Sequence, residues 1–92
     1  MLKDIVAAQL LEGYQLRLKF EDEVEGIVDI AELIKFTGVF EPLHDRAYFA
    51  QVTVNPDLGT ICWDNGADLD PDVLYSLVAN QSLPDYAKSL TQ

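Results

Sequence analysis

The sequence predicts an α+β fold: an antiparallel sheet of about five short strands, a three-stranded meander plus a hairpin, with two short helices. Three observations carry that reading. In YQLRLKFE, Tyr14, Leu16, Leu18 and Phe20 alternate with Gln15, Arg17, Lys19 and Glu21, the period of two of a strand with one buried and one wet face. Further on, the runs FAQVTV and TICW flank the turn-forming NPDLG. Then DPDVLYSLV sets an acid and a proline ahead of apolar residues at helical spacing, the pattern of a helix start.

The elements follow in order. Before the Tyr14 strand, DIVAAQLL is apolar and β-branched at its start, and Gly13 breaks it. After it, Glu21-Asp22-Glu23 makes a polar turn into VEGIVDI, which completes the meander. Repulsion among those carboxylates costs little in an exposed, screened turn. Asp29 and Glu32, just ahead of Leu33 and Ile34, have the spacing of a capping box, and Gly38 is the expected stop of a short helix. VFEPLHD, with Pro42 in it, reads as a loop, and Asp45 can cap a single turn through Ala47.

In the second hairpin, Val52 and Val54 alternate with polar neighbours, as do Ile61 and Trp63. Pro56 suits position i+1 of a type I turn and Gly59 a positive φ. Asn65-Gly66 reverses the chain after Trp63. Asp70 then stands at an N-cap, Pro71 at the first helical position where its missing N–H is harmless, and Asp72 near the positive end of the helix dipole. Val73, Leu74, Leu77 and Val78 form a stripe expected to pack on the sheet, with the helix ending near Asn80. Residues 1–81 are expected to form one domain, and 82–92, with Pro84 and polar residues, a loosely held tail.

Ninety-two residues fit one domain with a small core. An apolar share of 49% argues for a folded chain. The net charge of −10 argues against nucleic acid and anionic membranes, which need Lys and Arg to neutralise phosphates. Between Arg46 and Lys88 no basic residue occurs, while Asp57, Asp64, Asp68, Asp70, Asp72 and Asp85 all do. That asymmetry reads either as a solvated acidic face or as a docking surface for a basic partner. The single cysteine, Cys62, cannot form an internal disulfide or a multi-cysteine zinc site, so reducing cytoplasm is the expected compartment. No run resembles a signal peptide or approaches the ~18 apolar residues of a membrane span.

The stretch WDNGADLDPDVLY, Trp63 to Tyr75, concentrates four aspartates in thirteen residues. Asp68, Asp70 and Asp72 have the opening spacing of a calcium loop, but Val73 and Ala79 stand where such a loop needs glycine and glutamate, and Pro71 starts a helix. Paired-carboxylate catalysis needs a cleft that separates two pKa values, and nothing in the sequence signals one. Asp68, between Ala67 and Leu69, is expected to bond backbone N–H groups of the turn or helix start. His44 and Cys62 lack any feature that links them as base and nucleophile. Trp63 and Tyr75 read as core residues at the seam of sheet and helix.

The segment GVFEPLHDRAYFAQVTVNPDLGTICWDNGADLDPDVLY resembles the bacterial domain-of-unknown-function family 2442. That family shows a GVF-x-PL segment, an F-x-x-V strand, an LGT-I-x-W hairpin and an NGAD-L-x-P-x-x-LY ending, and the likeness covers roughly residues 1–78. Asn65, Gly66, Ala67, Asp68, Leu69, Pro71, Leu74 and Tyr75 all fit the last motif, while Asp64 replaces a proline common in relatives. The resemblance implies a small α+β domain with an antiparallel sheet and implies no activity. Some relatives continue into a helix-turn-helix domain; others resemble small partners in toxin–antitoxin-like pairs. With Gln92 as its last residue, this chain is expected to lack the DNA-binding part.

The expected function is a non-catalytic protein-interaction module with a basic protein partner, in its narrowest form an antitoxin-like one. Asp57, Asp64 and Asp72 are the expected contacts, and an exposed sheet edge offers a second surface, including for self-association. Trp63, Asn65, Gly66, Asp68, Asp70, Pro71 and Tyr75 are expected to be a structural motif. No catalytic residue, cofactor or metal is expected. The alternative is a small-molecule-binding or enzymatic domain that uses the Asn65–Asp72 acidic loop.

Overall fold

The computed structural model describes residues 4–81. Strands β1 (Ile5–Leu10), β2 (Gln15–Phe20) and β3 (Glu25–Asp29) form an antiparallel sheet in the order β1-β2-β3, the predicted meander. Leu16, Leu18 and Phe20 are fully buried, while Gln15 and Arg17 are exposed and Lys19 is half-buried. Leu18 lies opposite Ala8 on one side and Gly26 on the other, so the apolar face of β2 is carried across all three strands. The β2–β3 turn closes with Glu23 N–H donating to the Phe20 carbonyl at 3.0 Å and Phe20 N–H to that of Val24 at 2.8 Å. Glu23 takes a left-handed φ of 74° there and reaches Lys19 at 3.2 Å, an exposed pair that contributes little.

Helix α1 (Ile30–Leu33) starts as predicted, with the Asp29 carboxylate accepting from Ala31 N–H at 3.0 Å. It does not run on to Gly38. Ile34 is already extended (φ −134°, ψ 158°), which sends Ile34 and Phe36 back towards the core after one turn. Gly38 instead opens a 3-10 helix, Gly38–His44, so the segment expected to be a loop is helical and contains Pro42. A 3-10 turn needs few internal bonds, and here Phe40 N–H donates to the Thr37 carbonyl and Asp45 N–H to that of Pro42. Asp45 then caps α2 (Arg46–Phe49) by accepting from Ala47 N–H at 2.9 Å, and the turn runs two residues past Ala47 to bury Phe49.

The second hairpin pairs β4 (Thr53–Asn55) with β5 (Thr60–Cys62). The Asn55 carbonyl accepts from both Leu58 and Gly59 N–H, closing the turn around Pro56. Gly59 takes φ 70°, and a Cβ there would collide with the Asp4 carboxylate. Its carbonyl accepts from Ile5 N–H at 2.9 Å, which moors the hairpin beside the start of β1.

Helix α3 (Pro71–Gln81) lies against β3. Leu74 and Val78 are fully buried, but Val73 and Leu77 stay 46% and 41% exposed, so only half of the predicted stripe packs on the sheet. The other half faces α1, which ends too soon to cover it. The expectation for 82–92 concerns residues outside those described. The core gathers the meander's apolar face, Phe36, Leu43, Phe49, Ile61, Trp63 and the buried face of α3. Among the described residues, no buried side-chain polar atom lacks a hydrogen-bond partner, and no helix is long and apolar enough to cross a membrane.

Candidate functional site

The aspartate-rich stretch is a clamp built one hydrogen bond at a time. Gly66 N–H donates to the Trp63 carbonyl at 3.1 Å, with Gly66 at φ 91°, and Trp63 N–H donates to the Ala67 carbonyl at 2.9 Å. The Asn65 side chain works at both ends: its carbonyl accepts from Ala67 N–H at 3.1 Å, and its amide donates to the Val39 carbonyl at 2.9 Å. The chain then runs back along β5. Asp68 pairs with Cys62, and the buried Thr60 hydroxyl donates to the Leu69 carbonyl at 2.7 Å. This return path buries Ala67 and Leu69 and delivers Asp70 to the head of α3, where its carboxylate accepts from Asp72 N–H at 2.9 Å.

The large side chains of the stretch are anchors too. Trp63 is buried, and its indole N–H donates to the Phe49 carbonyl at 3.1 Å. Tyr75 is half-buried, meets Phe20 edge-on with ring centres 5.0 Å apart, and donates its hydroxyl to Asp22 at 2.6 Å. That hydrogen bond, then partial desolvation and the carboxylate's charge, raise the Tyr75 hydroxyl above the ordinary tyrosine value. Tyr48 donates to Asp64 at 2.8 Å and is raised likewise, by partial desolvation first and the Asp64 carboxylate second. No sequence signal linked Tyr75 to Asp22 or Tyr48 to Asp64, because each pair is made only by the folded chain.

Asp68 differs from expectation. It is exposed and, among the described residues, its carboxylate accepts no hydrogen bond; the chain here lies opposite Cys62, and the neighbouring Ala67 carbonyl takes the Trp63 N–H. The antiparallel return along β5 also separates the expected contact residues. Asp64 lies in the turn at one end of β5, and Asp57 lies in the turn at the other, the end to which Leu69 returns the chain before Asp72. All three are exposed, with Asp64 at the opposite end of the short β5 from Asp57. His44 packs edge-on against Phe36, Cys62 Sγ lies 3.6 Å from the Thr53 hydroxyl, and among the described residues no contact joins His44 to Cys62. Among those residues, no three His, Cys, Asp or Glu side chains group as metal ligands.

The concave surface lies elsewhere. An open cleft of about 410 Å3 runs between β3, α1 and α3, walled by Leu33, Leu77 and Asn80 with Asp29 and Glu32 at its side. A second, of about 240 Å3, continues from Leu33 to Val73 and touches Asp70. Sequence reasoning missed both; the available signal was the width of the α3 stripe, more than one sheet can cover.

A meander, a hairpin and a C-terminal helix locked by the NGADLDP turn define a small α+β domain held by side-chain-to-backbone bonds. Residues 5–80 match the family model described as protein of unknown function (DUF2442), and the chain belongs to that family. Among curated proteins and among solved structures, nothing matches it.

Proposed function

We propose that the chain is a non-catalytic interaction module whose ligand is a basic protein; its narrowest form is an antitoxin-like partner of a small one. The supporting observation is the charge of its second half. No Lys or Arg falls between Arg46 and Lys88, and Asp57, Asp64, Asp68, Asp70 and Asp72 all sit at exposed positions. Such a surface attracts cations and steers a basic partner into encounter. The aspartates of the clamp are each engaged singly, by Tyr48 or by a helix-start amide, or stand in solvent, an arrangement suited to presenting charge.

The test is the association rate with the protein that copurifies at low salt, measured against ionic strength. Exposed charges are screened beyond about 8 Å at physiological salt, so the rate should fall as salt rises. Changing Asp57, Asp64 and Asp72 together to asparagine should slow association and leave the fold intact, because the new amide oxygen in place of the Asp64 carboxylate still offers Tyr48 an acceptor. A rate indifferent to both salt and the triple change, or no copurifying protein at low salt, defeats the proposal.

A further inference from the structure

We infer that the groove between β3, α1 and α3 is the docking site for a basic amphipathic helix of the partner, which rests on the proposed function and gives it a location. The two clefts meet at Leu33 and follow α3 from Val73 to Asn80. Val73 and Leu77 stand one helical turn apart on the same face, 46% and 41% exposed, on a helix whose neighbouring face is fully buried through Leu74 and Val78. Exposed apolar side chains in register along a helix accept the ridges of a second helix laid beside it. The charged residues lining the groove are all acidic: Asp29 and Glu32 at one end and Asp70 at the other. The occupant that satisfies both features is apolar on one face and carries Lys or Arg on its flanks. From Asp70 to Asn80 the groove spans ~15 Å, about three helical turns.

The probe is a synthetic 14-residue helix with leucines on one face and lysines on the other, titrated into the full chain beside a twin with glutamate for lysine. The lysine peptide should bind, and the glutamate twin should bind at least ~10-fold more weakly. Val73→Gln with Leu77→Gln, both at exposed positions and checked by melting, should raise Kd about 10-fold. A control pair, Val6→Gln with Leu58→Gln, also exposed but outside the groove, should leave Kd unchanged. Glu32→Lys should weaken the lysine peptide and spare the twin. Equal effects of the groove pair and the control pair overturn the groove while leaving the charge-based reading standing. Equal binding of both peptides overturns the basic partner itself. A concentration-dependent dimer that the groove pair dissolves would assign the groove to a second copy and overturn the inference. Displacement of the lysine peptide by a free peptide of residues 82–92 would do the same.

Discussion

The amide of Asn65 holds the backbone carbonyl of Val39 at 2.9 Å, across 26 positions of sequence. It joins the 3-10 helix to the turn that launches α3, so two distant motifs share one side chain. Asn65→Ala removes this bond and the turn bond to Ala67, and should cost about 2 kcal/mol, at about 1 kcal/mol for each. Asn65→Asp keeps the turn acceptor but sets an oxygen against the Val39 carbonyl, and should cost at least half as much. Urea denaturation measures both, and a loss below ~0.5 kcal/mol for the alanine variant would show that the tether carries no stability.

Gly66 takes φ 91° with open space where a Cβ would lie, so the cost of a side chain there is backbone strain alone. Gly66→Ala should cost about 1 kcal/mol and Gly66→Val about 2 or more, because β-branching worsens the left-handed clash. Asp64→Pro, two positions earlier, removes the acceptor of the Tyr48 hydroxyl and should be the milder change. Thermal melts of the three variants rank them, and a harmless Gly66→Val contradicts the turn.

Asp70 caps α3 through Asp72 N–H. Asp70→Ala should destabilise by ~1 kcal/mol and Asp70→Ser by much less, since serine restores the acceptor. An alanine variant with unaltered melting but weaker binding of the lysine peptide would make Asp70 a contact and not a cap.

The Tyr75–Asp22 bond sets a pH limit. The folded state raises the Tyr75 hydroxyl above its unfolded value, so its contribution is complete below the ordinary tyrosine value of about 10 and is lost as pH rises through the folded one. Stability should therefore decline on the alkaline side. Tyr75→Phe should lower stability at neutral pH and flatten the alkaline decline, with Tyr48 supplying what remains. If the pH profile of Tyr75→Phe parallels the native one, the bond carries no linkage.

Local chemistry explains what was legible beforehand. Leu16, Leu18 and Phe20 declared a strand by alternation, Asp29, Asp45 and Asp70 declared helix starts, and Gly59 and Gly66 declared turns, each within a few residues of the feature it controls. The extended Ile34 was opaque because its conformation is set by burial of Phe36, a tertiary demand. The exposure of Val73 and Leu77 was opaque for the same reason: a helical stripe gives direction, not the reach of the neighbour that would cover it. Asp68 was misread because its motif position suggested a bonded carboxylate, whereas its side chain stands in solvent where the chain passes opposite Cys62.

The segment from Val39 to Phe49 is gripped by Tyr14 at the His44 carbonyl, Trp63 at the Phe49 carbonyl and Asn65 at the Val39 carbonyl. Every amino acid carries a carbonyl. The gripped segment can therefore change its exposed side chains, such as Val39, His44 and Arg46, without losing its holds, as long as the backbone keeps its course. The three gripping residues have no such latitude. Sequence drift should thus be tolerated on one partner of each contact and resisted on the other, which makes this stretch the natural place to graft foreign surface residues.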